Sequence, residues 1–457
     1  MGHSPLLAAE ADAPLRALRH VSAEELLLPL LVQLALILVA ARVFAALLRR
    51  VGQPAVVGEI VAGLVLGPSV FGRLFPDAFR AVFHPAVAGL DPGLSDALLG
   101  WALTTLSQVG LVLLLFLVGL QFDFGHLRRH GRSALAISVA GIATPFGLGV
   151  GLACLMQPHV AAGVPPLGFA LFLGTALSIT AIPVLGRIMM ELGITRTRLG
   201  TITIAAAAFD DATGWVLLAA VTAVVRAAFH PGRTLLMVAE TFAFTAFMAL
   251  AARPLLRLWV RRALRPGDGD LGVNGLAVLL VLLFACAVLS SHIGVFAVFG
   301  AFLLGAALSG DESFRAAVSR RLRDFVTAFF LPLFFAYTGL RTDVGSLGTW
   351  QLWLWCGLVS LAALAGKLGG CGLAAWATGH PRREAACIGA MMNTRGLMAL
   401  VVINLGRDLG VVPDAVFCML VLMALATTLM TTPILRRLVP DAAAGATEPE
   451  PAEAATA

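Results

Sequence analysis

TITIAAAAFDDATGWVLLAAVTAVV, residues 201–225, places two carboxylates, Asp210 and Asp211, side by side in an apolar run. About 20 apolar residues suffice to cross a bilayer as a helix, so this run is long enough to span. An aspartate at the centre of such a helix costs about 3 kcal/mol, and the pair therefore about 6 kcal/mol unless it is compensated. Acids kept at that depth mark an ion site, a substrate path or a proton relay. Whatever else the chain does, its chemistry is expected around this pair.

The chain contains 31 arginines and one lysine, Lys367, and that lysine also lies in an apolar run, LWLWCGLVSLAALAGKLGGCGLAAWA, residues 352–377. A buried ammonium can give up its proton, whereas a guanidinium effectively cannot. A single lysine facing two buried aspartates is a proton-handling arrangement. The structural alternative, a charge snorkelling to the interface, is strained because Lys367 lies 10 residues from the nearer end of its run.

Composition sets the class. Of 457 residues, 59% are hydrophobic and 13% charged, and the mean hydropathy is +0.92. Soluble domains carry about 25% charged residues, so the expectation is an all-α polytopic membrane protein. The net charge of +6 comes from arginines in short loops between spans, not from a nucleic-acid-binding face. The six cysteines lie in or beside apolar runs without metal-ligand spacing and read as packing residues.

Thirteen runs are candidates for crossing: 27–48, 54–72, 98–119, 133–154, 167–190, 201–225, 233–256, 272–290, 293–309, 325–340, 351–377, 384–405 and 414–435. If the loops alternate sides from an external N-terminus, the internal loops hold 20 arginines and the external ones 8. The positive-inside rule then predicts an outside N-terminus and a cytoplasmic C-terminus. Residues 1–26 are expected to be an external segment. Residues 439–457, rich in Ala, Pro and Glu, are expected to be a disordered cytoplasmic tail.

Two of the runs are interrupted by polar or helix-breaking residues at mid-depth. LFLGTALSITAIPVLGRIMMEL, 171–192, carries Ser178, Thr180 and Pro183, and EAACIGAMMNTRGLMALVVINL, 384–405, carries Asn393, Thr394, Arg395 and Gly396. Unwound backbone is tolerated in the membrane where it lines a site. A matching pair of interrupted spans is the sequence sign of an inverted-repeat transporter with its site between them. Ser178 and Thr180 can supply hydroxyl oxygens to a cation, with Asn393 and Thr394 as accessory polar groups. Arg395 can balance the negative ends of half-helices, or else pair with a membrane acid such as Glu59 for assembly. For Glu59, in the second run, a salt bridge and an entrance role stand as equal alternatives.

Adjacent helical residues point about 100° apart, so Asp210 and Asp211 cannot share one partner. One division sends Asp210 toward Lys367 and Asp211 toward an aqueous cavity. A carboxylate there binds either a proton or a monovalent cation, not both. With alternating access, that competition suffices for cation/proton antiport. No cofactor is expected, since the ions are cargo. A channel needs a continuous polar pore, which one buried acidic pair does not supply. An intramembrane aspartyl protease needs acids on facing helices, so an enzyme is not expected.

The motifs GQPAVVGEIVAGLVLGPSVFG (52–72), LLLFLVGLQFDFGHLRR (113–129), SITAIPVLGRIMMELGITRTRLG (178–200), AAAAFDDATGW (205–215), LPLFFAYTGLRTDV (331–344) and MMNTRGLMALVVINLGRDLGVV (391–412) resemble, in order, the monovalent cation:proton antiporter superfamily. The likeness is to the branch of plant and fungal cation/H+ exchangers, related to the Kef-type potassium antiporters. It implies a sodium/proton antiporter-like fold over residues 27–438, in the cell (inner) membrane. It also implies a homodimer, with a core part around spans 133–225 and 351–435 and a dimerisation part made of the remainder. It makes Asp211 the ion-binding aspartate and Asp210 the position before it, which is Asn in many members of the branch. It matches Lys367 to a membrane lysine that pairs with that position, and it matches Thr180 and Arg395 to the polar and basic residues of the crossing helices. Asp-Asp in place of Asn-Asp leaves Na+ and K+, and electrogenic and electroneutral exchange, open. A K+ efflux channel-like protein of the Kef type is the alternative reading.

Overall fold

The structure, a computed structural model, describes residues 22–87, 90–121, 131–191, 194, 197–226, 231–264 and 271–438. The tail 439–457 and residues 1–21 of the expected external segment lie outside the described residues.

The described chain is helical, with no named strand among its elements. Its principal helices are α1 (Ala23–Arg50), α2 (Ala55–Leu66), α3 (Pro92–Leu120), α4 (Gly131–Val160), α5 (Pro166–Ser178), α6 (Ile182–Glu191), α7 (Arg198–Arg226), α8 (Pro231–Phe247), α9 (Arg253–Ala263) and α10 (Val273–Ile293). The second half adds α11 (Ala297–Leu308), α12 (Glu312–Phe325), α13 (Leu331–Leu340), α14 (Trp350–Ala377), α15 (Arg382–Met392), α16 (Leu397–Asp408) and α17 (Asp414–Leu438). Single π-helical turns, Met248–Ala252 and Val326–Phe330, join α8 to α9 and α12 to α13.

Local chemistry sets the helix ends. Ser22 and Glu25 form a reciprocal capping box at the start of α1, and Arg49 and Arg50 complete its last turn, where cations favour the dipole. Asp91 accepts the N–H of Gly93 ahead of Pro92 at the start of α3. Arg42 of α1 donates to the carbonyls of Thr327 and Ala328 in the second π turn, where the regular ladder is interrupted.

Ten of the described helical segments are long and apolar enough to cross a membrane, and α15 with α16, bent by 44° at their break, make an eleventh. The other two predicted runs hold shorter helices. α11 has 12 residues, about 18 Å of rise against a hydrocarbon core of about 30 Å. α5 has 13 residues and stops at Ser178, and the chain resumes as α6 after a short extended break. Helices therefore occupy all thirteen runs, while length and hydropathy by themselves support ten to eleven crossings.

α4 packs along α14 and α5, α7 packs on α4, α5 and α15, and α17 packs on α14, α15 and α16. Around them α1, α2 and α13 form one contact group, and α3, α10 and α11 another. The α4–α14 contact is built from small residues. A Cβ on Gly366 would stand 2.7 Å from Pro145, and one on Gly370 2.8 Å from the Ala140 carbonyl. This G-x-x-x-G spacing lets two backbones approach closely, and Lys367 lies inside it.

Candidate ion site

The two broken spans cross at their breaks and are bonded to each other there. Ala181 N–H donates to the Thr394 carbonyl at 3.0 Å, and the Thr180 hydroxyl donates to the Met392 carbonyl at 2.9 Å. Gly396 follows the second break, and a Cβ there would lie 2.9 Å from Val184 and 3.0 Å from Ala181. Its lack of a side chain leaves room for those two side chains at the crossing.

Each break frees polar groups that regular helices would satisfy. At the end of α5 the free carbonyls are taken by Arg395. One guanidinium nitrogen donates to Ala176 at 3.3 Å and to Ile179, and the other donates to Leu177. A fully buried cation thus stands on the negative end of a half-helix. The backbone of Arg395 is in turn held by Thr428 of α17, whose hydroxyl accepts from its N–H and meets its carbonyl, each at 3.0 Å.

The free amide after the first break, Thr180 N–H, donates to Asp210 Oδ2 at 3.0 Å. Lys367 Nζ of α14 donates to the same oxygen at 2.8 Å. Both side chains of this ion pair are fully inaccessible. Desolvating two charges is repaid only by good geometry and further hydrogen bonds, and the Thr180 amide is one such bond. Gly141 of α4 makes room for Cys371 beside the pair, since a Cβ there would lie 2.4 Å from its Sγ.

Asp211 is placed differently. It retains 6% exposure where Asp210 has none, and no ion pair to it occurs among the described residues. Trp215, one turn later on α7, turns its buried indole N–H toward that carboxylate without closing a hydrogen bond. Its ring stacks on Phe302 of α11, with centroids 5.5 Å apart.

The structure thus brings Asp210, Asp211, Thr180, Lys367 and Arg395 to one crossing. Ser178 is there too, but its hydroxyl donates to the Gly174 and Ile142 carbonyls at 2.7 and 3.2 Å and so braces α5. Thr394 bonds back to Met391, and Asn393 donates to the Thr427 carbonyl at 3.4 Å. Glu59 is not part of the cluster. It is buried on α2, and the cations acting on it are Arg42 and Arg49, not Arg395. Sequence reading missed Trp215 as a neighbour of Asp211, although its spacing of four residues on a helix is the relevant signal. It also missed the buried threonines of α17, of which Thr427 accepts from Asn393 and Thr428 holds the backbone of Arg395.

The profile of the transmembrane sodium/hydrogen exchanger family matches residues 35–439. A Na(+)/H(+) antiporter, NhaS4, of Synechocystis is 38% identical, covering 91% of this chain and 98% of its own. Cation/H(+) antiporter 18 of Arabidopsis thaliana is 36% identical over 89% of this chain, and K(+)/H(+) antiporter 1 of Saccharomyces cerevisiae 30% identical over 85%. This chain spans about half the length of the plant and yeast relatives, 48% and 44%. The structure of the sodium proton antiporter MjNhaP1 from Methanocaldococcus jannaschii superposes with a TM-score of 0.64 at 15% identity, over 90% of this chain and 98% of that one. These relatives are transporters rather than enzymes, and the chain belongs to the transmembrane sodium/hydrogen exchanger family.

Proposed function

We propose that this protein is a secondary active antiporter that exchanges a monovalent cation, Na+ or K+, for H+ by alternating access, with cation and proton competing at Asp211. The observation that supports this reading is the division of labour between adjacent acids. Lys367 and the Thr180 amide saturate one oxygen of Asp210, while its neighbour Asp211 is buried at 6% exposure without a cationic partner among the described residues. A carboxylate in that position exchanges a proton for a cation without unmaking the fold. Thr180 and Asp210 shape the site, with Ser178, Asn393 and Thr394 as supports. Lys367 and Arg395 supply compensating charge. Exchange is read by loading proteoliposomes with a pH gradient and adding Na+ or K+. The gradient should collapse on cation addition and stay when choline is added. Collapse without added cation, or cation flux uncoupled from protons, would assign a channel instead.

The same reading carries a homodimer in the cell membrane, with a core part around α4–α7 and α14–α17 and a dimerisation part made of the remaining helices. The N-terminus lies outside and the C-terminus inside. Cysteines introduced beside Arg262 and Arg321 should then react with an impermeant thiol reagent from the cytoplasmic face, and those beside Pro92 and Arg341 from the external face. Labelling of Arg262 and Arg341 sites from one side would remove this topology.

A further inference from the structure

The exchange reading divides the helices into two parts that move past each other, and α13 and α16 stand on opposite sides of that division. α13 is fixed to its own side. A Cβ on Gly63 of α2 would run into the Ala336 carbonyl, and one on Gly339 of α13 into the Ile60 carbonyl, so α2 and α13 pack backbone to backbone. The chain after α13 is tied to the same side. Ser69 Oγ donates to the Thr342 carbonyl at 3.0 Å and accepts from the Val344 N–H at 2.9 Å. α16 packs instead on α5 and α17 of the core.

Polar contacts bridge the two sides at one end. Arg341 Nη2 donates to Asp408 Oδ1 at 2.8 Å, and its Nη1 donates to Asn404 Oδ1 at 3.4 Å. Asn404 Nδ2 donates to Thr338 Oγ1 at 2.9 Å, and that hydroxyl sends its own proton to the Phe334 carbonyl at 2.8 Å. In return Arg407 Nη1 donates to the Arg341 carbonyl at 2.8 Å. Arg407 is anchored on α17, with Nη2 2.8 Å from Asp414 Oδ1 and its guanidinium 4.6 Å from the centre of the Phe417 ring. Each arginine thus reaches from its own side to the other. Asn404 and Thr338 are buried, and the half-exposed Arg341–Asp408 pair closes over them.

Apolar faces can slide with little change in energy, but a directional hydrogen bond at 2.8–2.9 Å is lost once its partners part by about 1 Å. These contacts are therefore unmade whenever α16 shifts against α13. We propose that Arg341, Asn404 and Asp408, seated on Thr338 and Arg407, form a latch that holds the external entrance shut and opens once in every exchange cycle. The proposal rests on the alternating-access reading and on the topology that places Arg341 outside. Polar groups suit such a joint, because Asn404 and Thr338 pair with each other when it is closed and with water when it is open.

Two measurements on the full chain test the latch. The first reads opening without flux. Leu400, buried and one turn before Asn404 on the same face of α16, is changed to Cys and treated in intact cells with an impermeant maleimide. The modified peptide is then quantified by mass. Labelling should be slow with the latch intact and about 10-fold faster or more when Arg341→Gln or Asp408→Asn is added, the shift expected from losing one charge-assisted hydrogen bond. Unchanged labelling in both variants would overturn the proposal. The second measurement locks the joint. Thr338→Cys with Asn404→Cys should form a disulfide on oxidation, stop cation/proton exchange in proteoliposomes, and regain it on reduction. Exchange at the reduced rate while linked would place both residues in one rigid body and overturn the latch. Labelling that responds as expected in a protein that exchanges nothing even when reduced would uphold the latch and remove the antiport reading instead.

Discussion

Asp211→Asn is expected to reduce cation-driven proton flux in proteoliposomes to the level of protein-free vesicles, with expression and melting temperature preserved. Asn keeps the shape of the side chain and most of its packing. It cannot take up a proton, and it offers a cation a neutral oxygen where a carboxylate stood. Because Asp211 has no ion-pair partner among the described residues, its neutralisation strands no buried counter-charge. The loss should therefore be of exchange alone. Near wild-type exchange in Asp211→Asn would show that coupling resides elsewhere.

Lys367→Gln is expected to be the most destabilising single change at the crossing. It leaves Asp210 as a fully buried carboxylate with the Thr180 amide alone to support it. Removing one partner of a buried pair costs about 3–5 kcal/mol, chiefly because the other charge remains uncompensated. Asp210→Asn should strand the ammonium in the same way. The double change Asp210→Asn with Lys367→Gln should recover much of the stability, since neither charge is then left alone. Melting temperatures of the four proteins in one detergent read the cycle. A double variant no more stable than Lys367→Gln would show that the 2.8 Å contact carries no coupling. Voltage dependence of uptake adds a second readout. The double variant should exchange ions without net charge movement if Lys367 gives up and regains a proton during the wild-type cycle.

The residues that form the ion pair were legible because they break the rules of their surroundings. Two aspartates in an apolar run, and one lysine where arginine serves every other need, stand out without any knowledge of packing. The breaks were legible for the same reason, since proline, asparagine and arginine at mid-depth disfavour continuous helix. The partnership of Arg395 was less so. Its three carbonyl acceptors belong to residues 176–179, and any backbone segment presents carbonyls, so side-chain chemistry gives no pointer to them. The threonine face of α17 was hidden because threonine is common in membrane helices, where its hydroxyl can bond within its own helix, as that of Thr427 does to the Met423 carbonyl. Ser178 illustrates the converse. Its position was read as a ligand position, yet its hydroxyl proton goes to two carbonyls, and which way a rotamer turns is decided by packing. The span count suffers from a similar limit, because a short helix such as α11 is apolar enough to lie in the membrane and too short to cross it unaided.

Competition for one carboxylate is the centre of the account, and the most direct measurement is cation affinity as a function of pH. Binding of Na+ or K+ to purified protein, followed by calorimetry across a pH series, should weaken as pH falls. In the acidic range the apparent dissociation constant should rise about tenfold per pH unit, as mass action requires when one proton excludes one cation. Asp211→Asn should show no such binding. A dissociation constant that does not change with pH in the wild type would contradict the shared site, and exchange would then need two separate ones.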